Sequence, residues 1–127
     1  MKIFALLFGI IFLMFGIAGF VPGALTDGQL VRVFKVNTWL NVLHLLTGLF
    51  AVIVCWMRRP YCRIYFQIIG TLYALIAVLG FIYDDNDLLG LFANNQSDTW
   101  FHVIAAIAAL VVGYGEADTS SNHRGHQ

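Results

Sequence analysis

The chain has 127 residues, of which 60% are hydrophobic and only 11% are charged. A soluble domain needs about a quarter of its residues charged to cover its surface, so water is not the solvent for most of this surface. Seven basic residues balance seven acidic ones, and no basic run is present. These features exclude a nucleic-acid-binding patch, and the length leaves room for one domain.

Common catalytic motifs are also missing from the sequence. It contains no Walker or dinucleotide glycine loop, no Gly-x-Ser-x-Gly and no His-Glu-x-x-His. Cys55 and Cys62 are seven residues apart, which is typical of neither a metal site nor a disulfide framework, and we interpret both as apolar core residues. We therefore predict that the protein is not an enzyme.

Four apolar stretches run along the chain, at about 3–21, 39–57, 64–83 and 99–115. Each has roughly the 17 to 25 residues that a helix needs to cross a bilayer, where backbone polar groups must bond within the segment. The predicted fold class is therefore all-α: an antiparallel four-helix transmembrane bundle over residues 1–115. A polar tail follows over 116–127, which we predict to be disordered and cytoplasmic.

The first stretch, with its 19 apolar residues, is longer than the core of a usual signal peptide. Residues 20–24 offer no clean cleavage site, so we predict an uncleaved first helix.

Charges at the helix ends predict the orientation. Five basic residues and two acidic ones fall on the side that holds both termini: Lys2, Arg58, Arg59, Arg63 and Arg124, with Glu116 and Asp118. The other side holds two basic and five acidic residues: Arg32, Lys35, Asp27, Asp84, Asp85, Asp87 and Asp98. Because basic residues are enriched on the cytoplasmic side, we predict a bacterial cytoplasmic-membrane protein with both termini inside.

An internal repeat relates the two halves of the chain. The segment 30–37 aligns with 88–95, and without a gap the alignment carries His44 onto His102. Upstream, Gly19 matches Gly80 after a shift of three residues. Each half then contributes two helices that point the same way, which predicts two parallel two-helix repeats around a pseudo-twofold axis along the membrane normal.

Polar residues in the apolar stretches form one candidate site. Asn41 and His44 share a face of the second helix, and Asp98 and His102 share a face of the fourth. These faces also carry the small residues, so both histidines should point into the bundle. Taking Asp98 as the cap of the fourth helix, we expect His44 about 9 Å and His102 about 6 Å inside their helices. Two further asparagines complete the predicted polar cluster: Asn37 and Asn95.

Three interpretations of this cluster remain open. In the first, the four inner polar groups hold the bundle together by hydrogen bonds alone. In the second, His44 and His102 are axial ligands of a haem b, with Asp98 fixing the tautomer of His102. In the third, the cluster lines a pocket for a proton or small solute.

The two outer loops, Pro22–Thr38 and Asp84–Asp98, are long for a helical bundle. Their segments Leu30–Val36 and Leu88–Leu91 are apolar enough to lie on the membrane surface. These segments are therefore expected to contact lipid.

A family resemblance supports this interpretation. The segments 19–22, 34–37 and 41–48, and Asp98 followed by Trp100–Phe101–His102, resemble the bacterial domain-of-unknown-function family 4383. The resemblance implies four membrane helices and implies that the histidine and Asn/Asp positions belong to the family pattern. It implies no activity, substrate or cofactor. We therefore predict a small membrane subunit that contacts lipid and either another membrane protein or a second copy of itself.

Overall fold

Four α-helices account for most of the chain. The computed structural model describes the backbone of residues 2–124 and the side chains of residues 2–115. The helices are α1 (Lys2–Ala18), α2 (Thr38–Cys55), α3 (Arg59–Tyr83) and α4 (Gln96–Arg124). The predicted all-α fold is confirmed. Helix α4 continues to Arg124, within the predicted tail 116–127. The side chains of this tail lie outside the described part of the structure, so its disorder stays a prediction.

The helices form two hairpins, because α1 packs mainly against α2 and α3 mainly against α4. Small residues allow the close approach in both hairpins. A Cβ atom added at Gly48 would lie 2.6 Å from the carbonyl oxygen of Gly9, and one added at Gly70 would lie 2.7 Å from Cγ of Leu110. Gly9 and Gly70 are 61 positions apart, the same offset that relates Gly19 to Gly80.

Helix α1 ends at Ala18, three residues before the predicted end. Its last turn tightens, with Phe20 N donating to Ile17 O at 3.0 Å and Val21 N donating to Ala18 O at 3.1 Å. Pro22 follows and cannot continue the helix. The resulting 17 residues span about 25 Å, which is short for a bilayer core.

The other helices also differ from the predicted bounds at their ends. Helix α3 begins at Arg59, five residues early, because Pro60 fits the first turn of a helix. Helix α4 begins at Gln96, three residues early, and α2 ends at Cys55 instead of 57. Apolar content predicts only the part of a helix that suits a bilayer. The predicted bounds therefore omit the polar first turns of α3 and α4.

Three helices are long and apolar enough to cross a membrane. They are Thr38–Cys55, Arg59–Tyr83 and the Gln96–Gly115 part of α4, with mean hydropathies of 1.9, 2.0 and 1.4. Helix α1 is also apolar but shorter. Length and composition therefore indicate a membrane protein.

The first connecting loop, residues 19–37, contains a small sheet that the sequence analysis missed. After a 3-10 turn at Pro22–Ala24 come three antiparallel strands, β1 (Leu25–Thr26), β2 (Gln29–Leu30) and β3 (Phe34–Lys35). Strands of two residues are too short to show an alternating pattern. Leu30 is buried in the protein, whereas Val31 and Val33 are exposed, so the expectation that the segment Leu30–Val36 lies on the membrane surface stays a prediction.

The second connecting loop, residues 84–95, repeats the turn of the first. Leu30 pairs with Phe34, and Leu88 pairs in the same way with Phe92. Both turns use two successive residues with positive φ: Val31 and Arg32 (55° and 59°), and Leu89 and Gly90 (53° and 72°). Leu88 is buried like Leu30, whereas Leu89 and Leu91 are exposed, so the expectation for Leu88–Leu91 also stays a prediction. The repeat therefore includes the backbone conformation of the loops, although only one of these four residues is a glycine.

Candidate functional site

The two predicted histidines meet inside the bundle, between its two hairpins. His44 lies six residues after the start of α2, and His102 lies six residues after the start of α4. Their Nε2 atoms are 3.2 Å apart, and the side chains are 2% and 1% exposed. Both imidazoles are thus about 9 Å from the helix start, which corrects the expected 6 Å for His102.

The depth of His102 differs because Asn95, not Asp98, caps α4. Asn95 Oδ1 accepts a hydrogen bond from Asp98 N at 2.9 Å, as Asn37 Oδ1 at the start of α2 accepts one from Leu40 N at 2.9 Å. Asparagine is among the preferred N-cap residues because its side-chain oxygen satisfies an N–H of the first turn. Asn37 and Asn95 therefore fix the two helix starts at equivalent places.

The same two asparagines also join the halves to each other. Asn37 Nδ2 donates to Leu91 O at 2.7 Å, and Asn95 Nδ2 donates to Val33 O at 2.9 Å. Val33 and Leu91 are 58 positions apart, as are Asn37 and Asn95. Each half thus donates one such hydrogen bond to the other half and accepts the equivalent one, as expected for two halves related by a twofold axis.

Aromatic rings surround the imidazole pair. Phe12 packs on His44 with ring centroids 5.4 Å apart, and Tyr73 packs on His102 at 5.3 Å. Phe12 and Tyr73, which are 61 positions apart, contact each other at 5.1 Å. Phe101 lies 5.8 Å from both imidazole rings. The pair therefore lies in an aromatic cage, in which Phe12 and Tyr73 occupy positions related by the repeat.

The cage leaves several buried polar atoms without a hydrogen-bond partner within the protein. They are Asn41 Oδ1, His44 Nδ1, Asp98 Oδ2 and His102 Nδ1. All four belong to the predicted cluster, and each side chain is at most 2% exposed. Buried polar atoms are nearly always satisfied by protein or ordered water. Four exceptions in one cluster mark this site as the part of the bundle that is suited to hold water or a small polar group.

The hydrogen positions in the pair cannot follow the twofold symmetry. Two neutral imidazoles share an Nε2–Nε2 contact only if one nitrogen carries the hydrogen and the other accepts it. The accepting ring then carries its hydrogen on Nδ1, which needs an acceptor. Asp98 Oδ2 and Asn41 Oδ1 are acceptors without partners, four residues before His102 and three before His44. The two histidines must therefore be opposite tautomers.

Asp98 also connects the cluster to the loops. The backbone of Asn95 and of Lys35 in the first loop lies near its carboxylate. The Lys35 ammonium group bridges to Asp87 Oδ1 at 2.9 Å, which ties the first loop to the second. On the other side of the cluster, Asn41 touches Gly19, where a Cβ atom would collide with the amide.

The sequence analysis missed several polar residues that support the site. Asn94 is fully buried, its Nδ2 donates to Gly80 O at 3.2 Å, and its Oδ1 accepts from Thr99 Oγ1 at 3.1 Å. Deeper in the bundle, Thr47 Oγ1 and Tyr73 Oη are 2.8 Å apart. A polar residue in an apolar stretch was the available signal for Thr47 and Tyr73. The alignment of 30–37 with 88–95 pairs Asn95 with Asn37 but gives Asn94 no polar counterpart.

The residues present do not fit a haem in this arrangement. Metal–imidazole bonds are about 2 Å long, so an iron atom between the two histidines would set their Nε2 atoms about 4 Å apart with a flat macrocycle between them. The observed separation is 3.2 Å, and Phe12, Tyr73 and Phe101 occupy the surrounding space. Among the residues that the structure describes, no group of three His, Cys, Asp or Glu side chains could hold a metal ion.

The pairwise contact can be tested by a double-mutant cycle. His44→Phe should cost about 1–3 kcal/mol of unfolding free energy, because it leaves His102 buried with both ring nitrogens unpartnered. His44→Phe combined with His102→Phe should cost less than the sum of the single changes, by about 0.6 and at most about 1.7 kcal/mol. Unfolding in mild detergent, followed by circular dichroism, provides the measurement.

Thr71→Val is the matched control for this cycle, because Thr71 makes its hydrogen bond to Gln67 O on an exposed face. Its effect should add to that of His44→Phe. Strict additivity of the two histidine changes would contradict the contact.

Comparison with known proteins supports one assignment. No curated protein and no solved structure matches the chain. The model of one family, described as a domain of unknown function (DUF4383), matches residues 2–115, which include every residue of the site. The match covers both hairpins and both loops, and the chain therefore belongs to the DUF4383 family.

Proposed function

We propose that this protein is a non-enzymatic subunit of the bacterial cytoplasmic membrane, with a structural or partner-binding role. The observation that supports this most directly is that His44 and His102 bond to each other inside the bundle. A side chain that is hydrogen-bonded to the equivalent residue of the other repeat and enclosed by aromatic rings is not accessible to a substrate. The contact instead joins the two hairpins.

The outer surface agrees with a membrane location. Large apolar side chains are more than half exposed along the length of the helices, including Leu7, Ile68, Leu75, Ile104 and Val111. A monomeric soluble protein rarely exposes contiguous apolar surface of this extent. In a bilayer these side chains face lipid or the helices of a partner, and helix association there depends on packing and interhelical hydrogen bonds.

Labelling of single cysteines tests the membrane location and the orientation together. Cys55 and Cys62 are first replaced by Ala, and Asn86→Cys or Arg58→Cys is then introduced at an exposed position. In intact cells an impermeant thiol reagent should modify the Asn86→Cys variant. It should modify the Arg58→Cys variant only after the cells are permeabilised, because the basic end faces the cytoplasm.

The reverse pattern would contradict the orientation. Modification of both positions from outside would contradict a chain that crosses the membrane between them.

A second function is supported by the four unpartnered polar atoms. A cluster of two imidazoles, a carboxylate and an amide, each with one unpartnered polar atom, could take up a proton through water, as intramembrane carboxylate and histidine groups do in proton relays. Two other titratable residues of the described part act on the cluster, because the charge of Lys35 lies near Asp98 and the Tyr73 ring packs on His102. This function predicts a native state that binds more protons than the unfolded state.

The pH dependence of stability separates the two functions. Stability falls with falling pH where the unfolded state binds more protons, and rises where the native state does. If the pair is neutral and purely structural, the melting temperature should fall as the pH is lowered from about 8 to about 5, the range in which histidine usually titrates. A proton site predicts a rise. The double variant His44→Gln/His102→Gln retains His123 and His126, so its profile is the control to subtract.

A further inference from the structure

The two seams at which a helix of one hairpin faces a helix of the other are chemically different. At the α2–α3 seam Tyr65 Oη donates to Thr47 O at 2.6 Å, and Thr47 Oγ1 lies 2.8 Å from Tyr73 Oη. The repeat relates α1 to α3 by 61 positions and α2 to α4 by 58, so the equivalent residues at the α1–α4 seam are Phe4, Ala105 and Phe12. None of these three side chains carries a hydroxyl group. The α1–α4 seam therefore cannot form the equivalent side-chain hydrogen bonds.

An apolar groove of about 260 Å³ lies along the α1–α4 seam. Its floor is buried, since Phe8, Phe12 and Ala105 are each at most 7% exposed. Its rim is exposed and includes Leu7 and Ile104. Every lining side chain is that of a phenylalanine, leucine, isoleucine or alanine. The groove is thus built from hydrocarbon alone and opens at the outer surface of the bundle.

Small side chains on α4 leave room for this groove. Ala105 and Ala108 line it, whereas the equivalent residues of α2 are Thr47 and Phe50. The backbones of α1 and α4 also approach each other less closely than those of the two helices within either hairpin. The groove is therefore a departure from the repeat, in which α4 has lost both bulk and polarity relative to α2.

The shape and chemistry of the groove restrict what can occupy it. On α1 the lining residues run from Phe4 to Phe12, a length of about 12 Å at about 1.5 Å per residue. Over that length, the volume of about 260 Å³ corresponds to a cross-section of about 20 Å². A partner helix about 10 Å across would need about 80 Å². The groove also offers no charge and no hydrogen-bonding side chain, so it complements a slender, uncharged hydrocarbon chain.

We propose that this groove binds one acyl chain of a phospholipid, which fills the α1–α4 seam as a structural lipid. The proposal rests on the proposed membrane location. A length of about 12 Å is most of one leaflet of a hydrocarbon core about 30 Å thick. The groove begins at Phe4, near the start of α1, and ends at Phe12 and Phe101, whose rings pack on His44. The chain thus supplies packing contacts up to the aromatic cage of the histidine pair.

Photolabelling of the full chain in phosphatidylcholine nanodiscs tests this site. A small fraction of the lipid carries a diazirine within one acyl chain, and mass spectrometry locates the labelled residues after irradiation. Ile68 is exposed on α3, so any surrounding lipid should label it, and it serves as the reference. Ala105 should also be labelled although it is only 7% exposed, because the bound chain lies on the groove floor. Its repeat equivalent Thr47, 3% exposed, should stay unlabelled.

Substitutions on the groove wall provide the second part of the test. Ala108→Phe introduces the residue of the other half and fills the groove, so labelling of Ala105 should be lost while labelling of Ile68 persists. Ala108→Gly leaves the groove open and should retain both labels. Leu75→Phe is the matched control, because it adds a ring at an exposed position of α3 that does not line the groove. The contrast between Ala105 and Thr47 in the unmodified chain decides the question even if Ala108→Phe folds poorly.

The remaining outcomes separate this proposal from the membrane location. Failure to enter the nanodiscs would refute the membrane location. Labelling of Ile68 without Ala105, or equal labelling of Ala105 and Thr47, would refute only the acyl-chain site. If Ala108→Phe instead lowered the number of chains per nanodisc, the groove would be an interface between copies of this chain, and the lipid assignment would be overturned.

Discussion

The contact between the imidazoles of His44 and His102 constrains the rest of the structure. The two residues occupy equivalent positions in the repeat, so they can meet only where the symmetry axis passes between the halves. That meeting requires both helices to start at the same level, which the Asn37 and Asn95 caps provide. It also requires the halves to be joined above the pair, which the reciprocal asparagine bonds to Leu91 O and Val33 O accomplish.

Such a polar contact has a particular value in a bilayer. Apolar side chains gain little from leaving lipid for a protein interior, so the hydrophobic effect does not hold two membrane hairpins together. Close packing at Gly48 and Gly70 stabilises each hairpin internally. Between the hairpins, the described contacts include aromatic rings, the histidine pair, the hydroxyl pair of Thr47 and Tyr73 and the loop hydrogen bonds, which combine close packing with a few directional bonds.

Much of this could be predicted from the sequence because each feature leaves a local signal. Helical spans follow from apolar length, the inward direction of His44 and His102 follows from helical spacing, and the offset of 58 residues that relates them predicts that they are equivalent. The direct contact does not follow, since spacing fixes a face but not the distance across the bundle. The cap of α4 was misassigned because Asn95 and Asp98 are both good N-cap residues, and only the structure shows which oxygen meets which N–H.

Tertiary packing decided the features that the sequence analysis missed. The turns at Val31 and Leu89 use a backbone conformation that is unfavourable for such residues, so local propensity argues against them. Burial of Leu30 and Leu88 against the bundle accompanies both turns.

Nitrogen NMR on protein labelled with ¹⁵N-histidine tests the central claim most directly. A hydrogen bond between the two Nε2 atoms gives a scalar coupling between them, and the shared hydrogen makes the two rings opposite tautomers. The structure predicts one such coupled pair, assigned to His44 and His102 and lost in His44→Gln. Two rings of the same tautomer with no coupling between them would contradict the contact on which this account of the fold depends.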